Sequence, residues 1–137
     1  MNIPLIDKSS YLRGLLILAR KDNQISHLER KIIYKAGIRL GFSSAFCAEI
    51  LKTLLQNECL CYEPIKFVNY KVAQSFITDG LLLSSVDKLI TPAKLIWLKK
   101  SATLNGINLR WFKDELLKFE GKSNHLTSTQ LTLYSII

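Results

Sequence analysis

The sequence predicts an all-α fold, a compact bundle of about seven helices built from two pseudo-symmetric three-helix copies, and two observations predict it. The first is a repeat: Asp22-Asn-Gln-Ile-Ser-His-Leu-Glu29 returns without a gap as Asp87-Lys-Leu-Ile-Thr-Pro-Ala-Lys94. At the same offset Leu16 falls on Leu81, Leu18 on Leu83, Lys35 on Lys100, Gly41 on Gly106, Phe46 on Trp111 and Leu51 on Leu116. A fortuitous match would not hold its apolar positions in phase over that length. The second is a helical period within each copy, punctuated by residues that cap and stop helices.

Residues 1–8 read as a lead-in, and Ser9 or Ser10 as the cap of a first helix, short and mostly buried, that carries Leu12, Leu15, Leu16, Ile17 and Ala19. A second helix runs from about Ser26 to Leu40. Ser26 is an N-cap type, and Glu29 three residues later completes a capping box. Leu28, Ile32, Ile33, Ala36 and Leu40 share one arc, with His27, Arg30, Lys31 and Tyr34 around the other side, and Gly41 ends the helix. A third helix starts at Ser43 or Ser44, carries Phe46, Ile50, Leu51, Leu54 and Leu55, and closes the first copy near Asn57. Residues 58–64 form a linker, and 64–70 a short helical turn with Ile65 and Phe67. The second copy begins around Val72 with Phe76, Ile77, Leu81, Leu82 and Leu83. Its later helices span about 91–104, where Thr91 caps and Pro92 takes the first helical position, and 108–119. The copies thus cover about 11–57 and 72–119, with a tail over 121–137. By size, the 137 residues make one domain.

A net charge of +8 and a pI near 9.5 favour an anionic partner without choosing among nucleic acid, membrane headgroups and acidic protein. Cys47, Cys59 and Cys61 are odd in number and lack the spacing of a disulfide framework or a zinc site. They read as reduced thiols, with Cys47 in the core. No basic stretch leads into an apolar signal at the N-terminus, and apolar runs such as Leu15 to Ala19 are far too short to cross a bilayer. A cytoplasmic location is expected.

One difference between the copies carries information. Leu95 and Ile96 stand where the first copy has Arg30 and Lys31, so the helix over 91–104 is apolar nearly all round and should be buried on more than one side. The expected cover within the chain is the segment after Gly121, where Leu126, Leu131, Leu133, Tyr134, Ile136 and Ile137 sit among Ser and Thr. The alternative cover is a second protein chain, as in a homodimer.

The run Ala19-x-x-Asp22-x-x-Ile25-Ser26-x-x-Glu29, ahead of an apolar helix ending Arg39-Leu-Gly-Phe42, resembles the tellurite-resistance TerB family and the related module of membrane-anchored DnaJ-type co-chaperones. The resemblance covers roughly residues 10–117. It implies a compact bundle of about seven helices, acidic loop and helix-start residues that bind divalent metal, and an interaction module in stress-response assemblies, peripheral at the inner membrane surface. Carried over by position, the acidic pair is Asp22 and Glu29. The second copy keeps Asp87 but has Lys94 in place of the second carboxylate, and Asn23 and Lys88 stand where the family has Gly.

Three function classes follow. Two carboxylates without an accompanying cluster make a weak site for a hard cation. The capping box explains Glu29 as well as metal binding does, so no cofactor is expected beyond a weakly held divalent metal in the first copy. In the second, the Lys94 ammonium can lie beside Asp87 where a cation would sit. His27 and His125 have no Ser, Cys or Asp at a spacing that makes a triad, and no Gly-rich phosphate loop is present, so the enzyme reading is the weakest. Trp97, Trp111 and Phe112 fall on apolar helical positions and read as core. A cationic strip of Arg30, Lys31, Lys35 and Arg39, with Lys99 and Lys100 on the counterpart helix, is either a solvated face or an electrostatic surface for nucleic acid or anionic lipid. The expected function is a non-enzymatic binding module for another protein, with Leu95 and Ile96 joining the strip as candidate contact residues.

Overall fold

The computed structural model describes residues 2–21, 25–56, 63–86, 89–119 and 131–137. These residues form seven helices and no strand: α1 (Leu5–Arg20), α2 (His27–Arg39), α3 (Ser44–Gln56), α4 (Tyr70–Ser85), α5 (Pro92–Leu104), α6 (Leu109–Phe119) and α7 (Leu133–Ile136). The starts of α1 and α4, of α2 and α5, and of α3 and α6 all lie sixty-five residues apart, which is the offset of the sequence repeat. Gly41 (φ 102°) and Gly106 (φ 73°) end α2 and α5 in the left-handed region that glycine enters without strain.

Local chemistry sets these starts. In α2 the Ser26 hydroxyl accepts the Glu29 N–H at 3.1 Å, and the Glu29 carboxylate accepts the Ser26 N–H at 3.0 Å, a complete capping box. Thr91 Oγ1 takes the Lys94 N–H at 3.3 Å, Ser43 Oγ the Phe46 N–H at 3.1 Å, and Asn69 Oδ1 the Val72 N–H at 3.1 Å. Each of these bonds satisfies a donor that has no partner inside its helix.

The two helices buried nearly all round are α1 and α4, which pack against each other at the centre. There Phe67, Tyr11, Phe76 and Trp97 form a chain of ring contacts with centroids 5.2 to 6.0 Å apart. Tyr11 and Phe76 are repeat equivalents, so they meet close to the pseudo-twofold axis. Gly14 and Gly80 permit the close approach: a Cβ at residue 14 would overlap the Phe76 ring, and one at residue 80 would press on Leu98 and Leu18. Around this pair, α5, α6 and α7 pack on α4, while α2 packs on α1 and α3.

Four expectations are corrected. The first helix starts at Leu5 rather than after Ser9 or Ser10, because Pro4, with φ −56° and no N–H to satisfy, opens it a full turn earlier. Residues 64–69 are irregular, with a bend at 68–69, rather than a helical turn. Their backbone groups are claimed from outside: Ser101 Oγ accepts the Ile65 N–H at 3.3 Å, and Asn105 both accepts the Phe67 N–H at 2.8 Å and donates to the Ile65 carbonyl at 2.7 Å. The buried Asp7 carboxylate takes the N–H groups of Val68 and Asn69 at 2.8 and 3.0 Å, tying the start of α1 to the start of α4. Third, the helix carrying Leu95 and Ile96 buries the face of Lys94, Trp97, Leu98, Ser101 and Ala102, while the side of Ile96, 55% exposed, and Leu104, 45% exposed, is left uncovered within the described residues. Fourth, the end of the tail docks on α4, where a buried carboxylate holds its amides, rather than on α5.

Candidate functional site

Of the two residues proposed as metal ligands, Glu29 is described and Asp22 lies outside the described residues, as do Asp87, Asn23, Lys88, His125, Cys59 and Cys61. Glu29 is fully buried, and both of its oxygens are engaged. Oε1 completes the capping box, and Oε2 lies 3.3 Å from the ammonium of Lys94, itself buried. The cation that a buried carboxylate requires is therefore supplied by the chain's own second copy. Among the described residues no three His, Cys, Asp or Glu side chains come together. The first-copy capping box and the second-copy lysine were both visible in the sequence. Their meeting was not, because no local window links residues 29 and 94.

The cationic strip is on the surface. Arg30, Lys31, Lys35 and Arg39 are all exposed on α2, and the Arg39 guanidinium lies over the Tyr134 ring at 5.2 Å, so part of its charge serves to hold the C-terminal segment. A second cationic patch joins Lys21 at the end of α1 to Lys100 on α5. The Lys21 ammonium is held below its ordinary pKa first by burial and then by the nearby Lys100 charge. Ile96 stands beside that patch, in a broad hollow of about 810 Å³ with Pro64, Lys99, Lys100 and Leu104 in its walls. Leu95 is half-buried.

Sequence reasoning missed a groove between α1 and α3. Leu12, Leu16, Phe42, Phe46 and Ile50 line a pocket of about 360 Å³ that is almost wholly hydrocarbon, with exposed Arg13 as its charged residue. The Phe42 and Phe46 rings pack at 5.2 Å, yet Phe46 remains 45% exposed. The repeat equivalents in the second copy are better covered: Ile107 is buried where Phe42 is half-buried, Trp111 is half-buried where Phe46 is exposed, and Glu115 is buried where Ile50 is half-buried. The signal was present as Phe42 and Phe46, two aromatics one helical turn apart, but periodicity assigns such residues to the core.

Cys47 is buried against Gly37, and burial pushes its thiol pKa up, which makes it a packing group rather than a reactive one. No helix among the described residues is long and apolar enough to cross a membrane. Comparison with protein-family models, with curated proteins and with solved structures finds no match to this chain.

Proposed function

We propose that the chain is a non-enzymatic, TerB-like helical binding module that receives an amphipathic helix of an acidic partner protein, within a stress-response or membrane-surface assembly. The observation that carries this reading is the open α1–α3 groove. A hydrocarbon trough with two ring faces and one guanidinium on its lining suits apolar anchors at helical spacing flanked by a carboxylate. The excess of basic residues, +8 overall, would steer such a partner inward without contributing most of the affinity.

The test is a displayed library of acidic amphipathic 16-residue helices, with fluorescence anisotropy on the peptides it yields. Substitution Phe46→Asp, at an exposed position, is expected to weaken binding more than tenfold, and Arg30→Glu with Lys31→Glu to leave it within threefold. A second reading rests on the exposed Arg30, Lys31 and Lys35: electrostatic binding of nucleic acid or anionic lipid. Micromolar, steeply salt-dependent binding to mixed-sequence nucleic acid or anionic vesicles, abolished by that double reversal and indifferent to Phe46→Asp, would replace the first reading with the second.

A further inference from the structure

The uncovered side of α5 is a single stripe. Its exposed positions after Pro92 are Ala93, Ile96, Lys99, Lys100, Thr103 and Leu104, spaced three and four apart, so they share one face of the helix. Ile96 and Leu104 are large aliphatics, Lys99 and Lys100 are cationic, and no position is acidic. The same four residues share the 810 Å³ hollow with Pro64 and with Glu63, the one carboxylate in its walls among the described residues. Lys21, at the end of α1, is near enough for the Lys100 charge to act on it, which widens the basic patch. Behind the stripe, Trp97, Leu98, Ser101 and Ala102 are buried, and Ser101 and Asn105 tie down the segment that follows Pro64. The face is therefore presented preformed, and covering it orders little else.

The other copy shows what a purely charged version of this stripe looks like. At the repeat-equivalent positions α2 exposes Lys31, Lys35 and Arg39, where α5 has Ile96, Lys100 and Leu104. A face that served solubility alone has no use for two aliphatic side chains that leave apolar area in water. A second copy of the chain is a poor cover, because a twofold contact through this face would bring Lys99 and Lys100 toward their own counterparts. Nucleic acid would use the lysines but not Ile96 and Leu104, and the described face offers no arginine or aromatic ring for base edges or stacking. An anionic bilayer uses both kinds of group. Ammonium groups pair with lipid phosphates, their methylene stems lie along apolar surface, and the aliphatic side chains between them enter the boundary of the acyl chains.

We propose that this face of α5 docks on an anionic membrane surface, with Lys99 and Lys100 engaging lipid phosphates while Ile96 and Leu104 insert beside them. The docking face goes beyond the partner-helix groove and shares no residue with it or with the α2 strip, so each reading can fail alone.

The test is co-sedimentation of the full chain with phosphatidylcholine vesicles, with and without phosphatidylglycerol. Binding is expected with the anionic vesicles only and should weaken as salt rises. Ile96→Ser with Leu104→Ser should cost roughly tenfold or more in partitioning. Lys99→Glu with Lys100→Glu should cost at least as much. All four positions are exposed, and circular dichroism checks that the variants stay folded. Arg30→Glu with Lys31→Glu, and Phe46→Asp, should each cost far less. Absence of binding to anionic vesicles, equal binding to neutral ones, or binding lost in the α2 reversal and kept in both α5 variants would overturn the proposal. So would mixed-sequence nucleic acid bound in place of vesicles through Lys99 and Lys100, with no contribution from Ile96 and Leu104. A parent protein that is dimeric in solution and becomes monomeric in Ile96→Ser with Leu104→Ser would overturn it too, by making the face an interface between copies.

Discussion

Glu29 and Lys94 hold the same position in the two copies, and in the folded protein they touch: carboxylate and ammonium lie 3.3 Å apart with neither side chain more than 1% exposed. Near a twofold axis equivalent positions come face to face, so a charge that would repel its own counterpart must be answered by an opposite one. The capping box adds a second duty for the same carboxylate, since its other oxygen holds the start of α2.

Removing one member of this pair should therefore be costly and removing both much less so. Lys94→Met is expected to lose about 3–5 kcal/mol in urea unfolding, because it strands a buried carboxylate. Replacing both residues with Leu should be milder than Lys94→Met alone, losing mainly the capping box at about 1 kcal/mol. Additive losses in the double variant would show that the two side chains are not coupled.

Gly14 lies against the Phe76 ring, with no room for a methyl group. Gly14→Ala should destabilise by about 1–3 kcal/mol through overpacking, and Phe76→Leu in the same chain should recover part of the loss. Thermal unfolding of the two single variants and the double variant decides the matter; a Gly14→Ala protein as stable as the parent would mean that the α1–α4 contact is looser than described.

Asn105 binds the irregular segment before α4 through the Phe67 N–H and the Ile65 carbonyl. Asn105→Ala should cost about 1–3 kcal/mol for each backbone group left unpaired. Asn105→Asp, which keeps the acceptor and loses the donor, should fall between Ala and the parent. Amide exchange at Phe67 provides the local readout and should accelerate in Asn105→Ala alone.

Whole-chain stability should carry the signature of Asp79. Its folded pKa of about 6 against 3.8 means a contribution fully present below pH 4 and lost as pH rises through 6, on the order of 3 kcal/mol. Urea midpoints of the parent and of Asp79→Asn, taken from pH 4 to pH 8, should differ in slope over that window. Parallel curves would mean that Asp79 has an ordinary pKa in the folded protein.

How much of this was legible depended on whether the signal was local. The repeat, the capping box at Ser26 and Glu29, the stops at Gly41 and Gly106 and the burial of Trp97 and Phe112 are written in short windows, and the helices follow them. The start of α1 was read late because Ser9 and Ser10 look like caps, whereas Pro4 does the work of opening the helix. The contacts between copies were not legible. Tyr11 and Asp79 are unremarkable in their own windows and become a pair only when α1 crosses α4. The repeat did hold a clue: Asp79 and Tyr11 stand where the other copy has Gly14 and Phe76, so a polar pair on one side of the axis answers a ring on glycine on the other. The same asymmetry leaves Phe46 exposed where Trp111 is half-covered.

The Glu29–Lys94 contact also bears on the history of the duplication. A chain with its first copy written twice would set two carboxylates against each other at the axis, and one with its second copy written twice would set two ammonium groups there. Only the mixed order sets opposite charges against each other. The halves are thus complementary rather than interchangeable, and recombination that homogenised them would produce a protein unable to close its own interior.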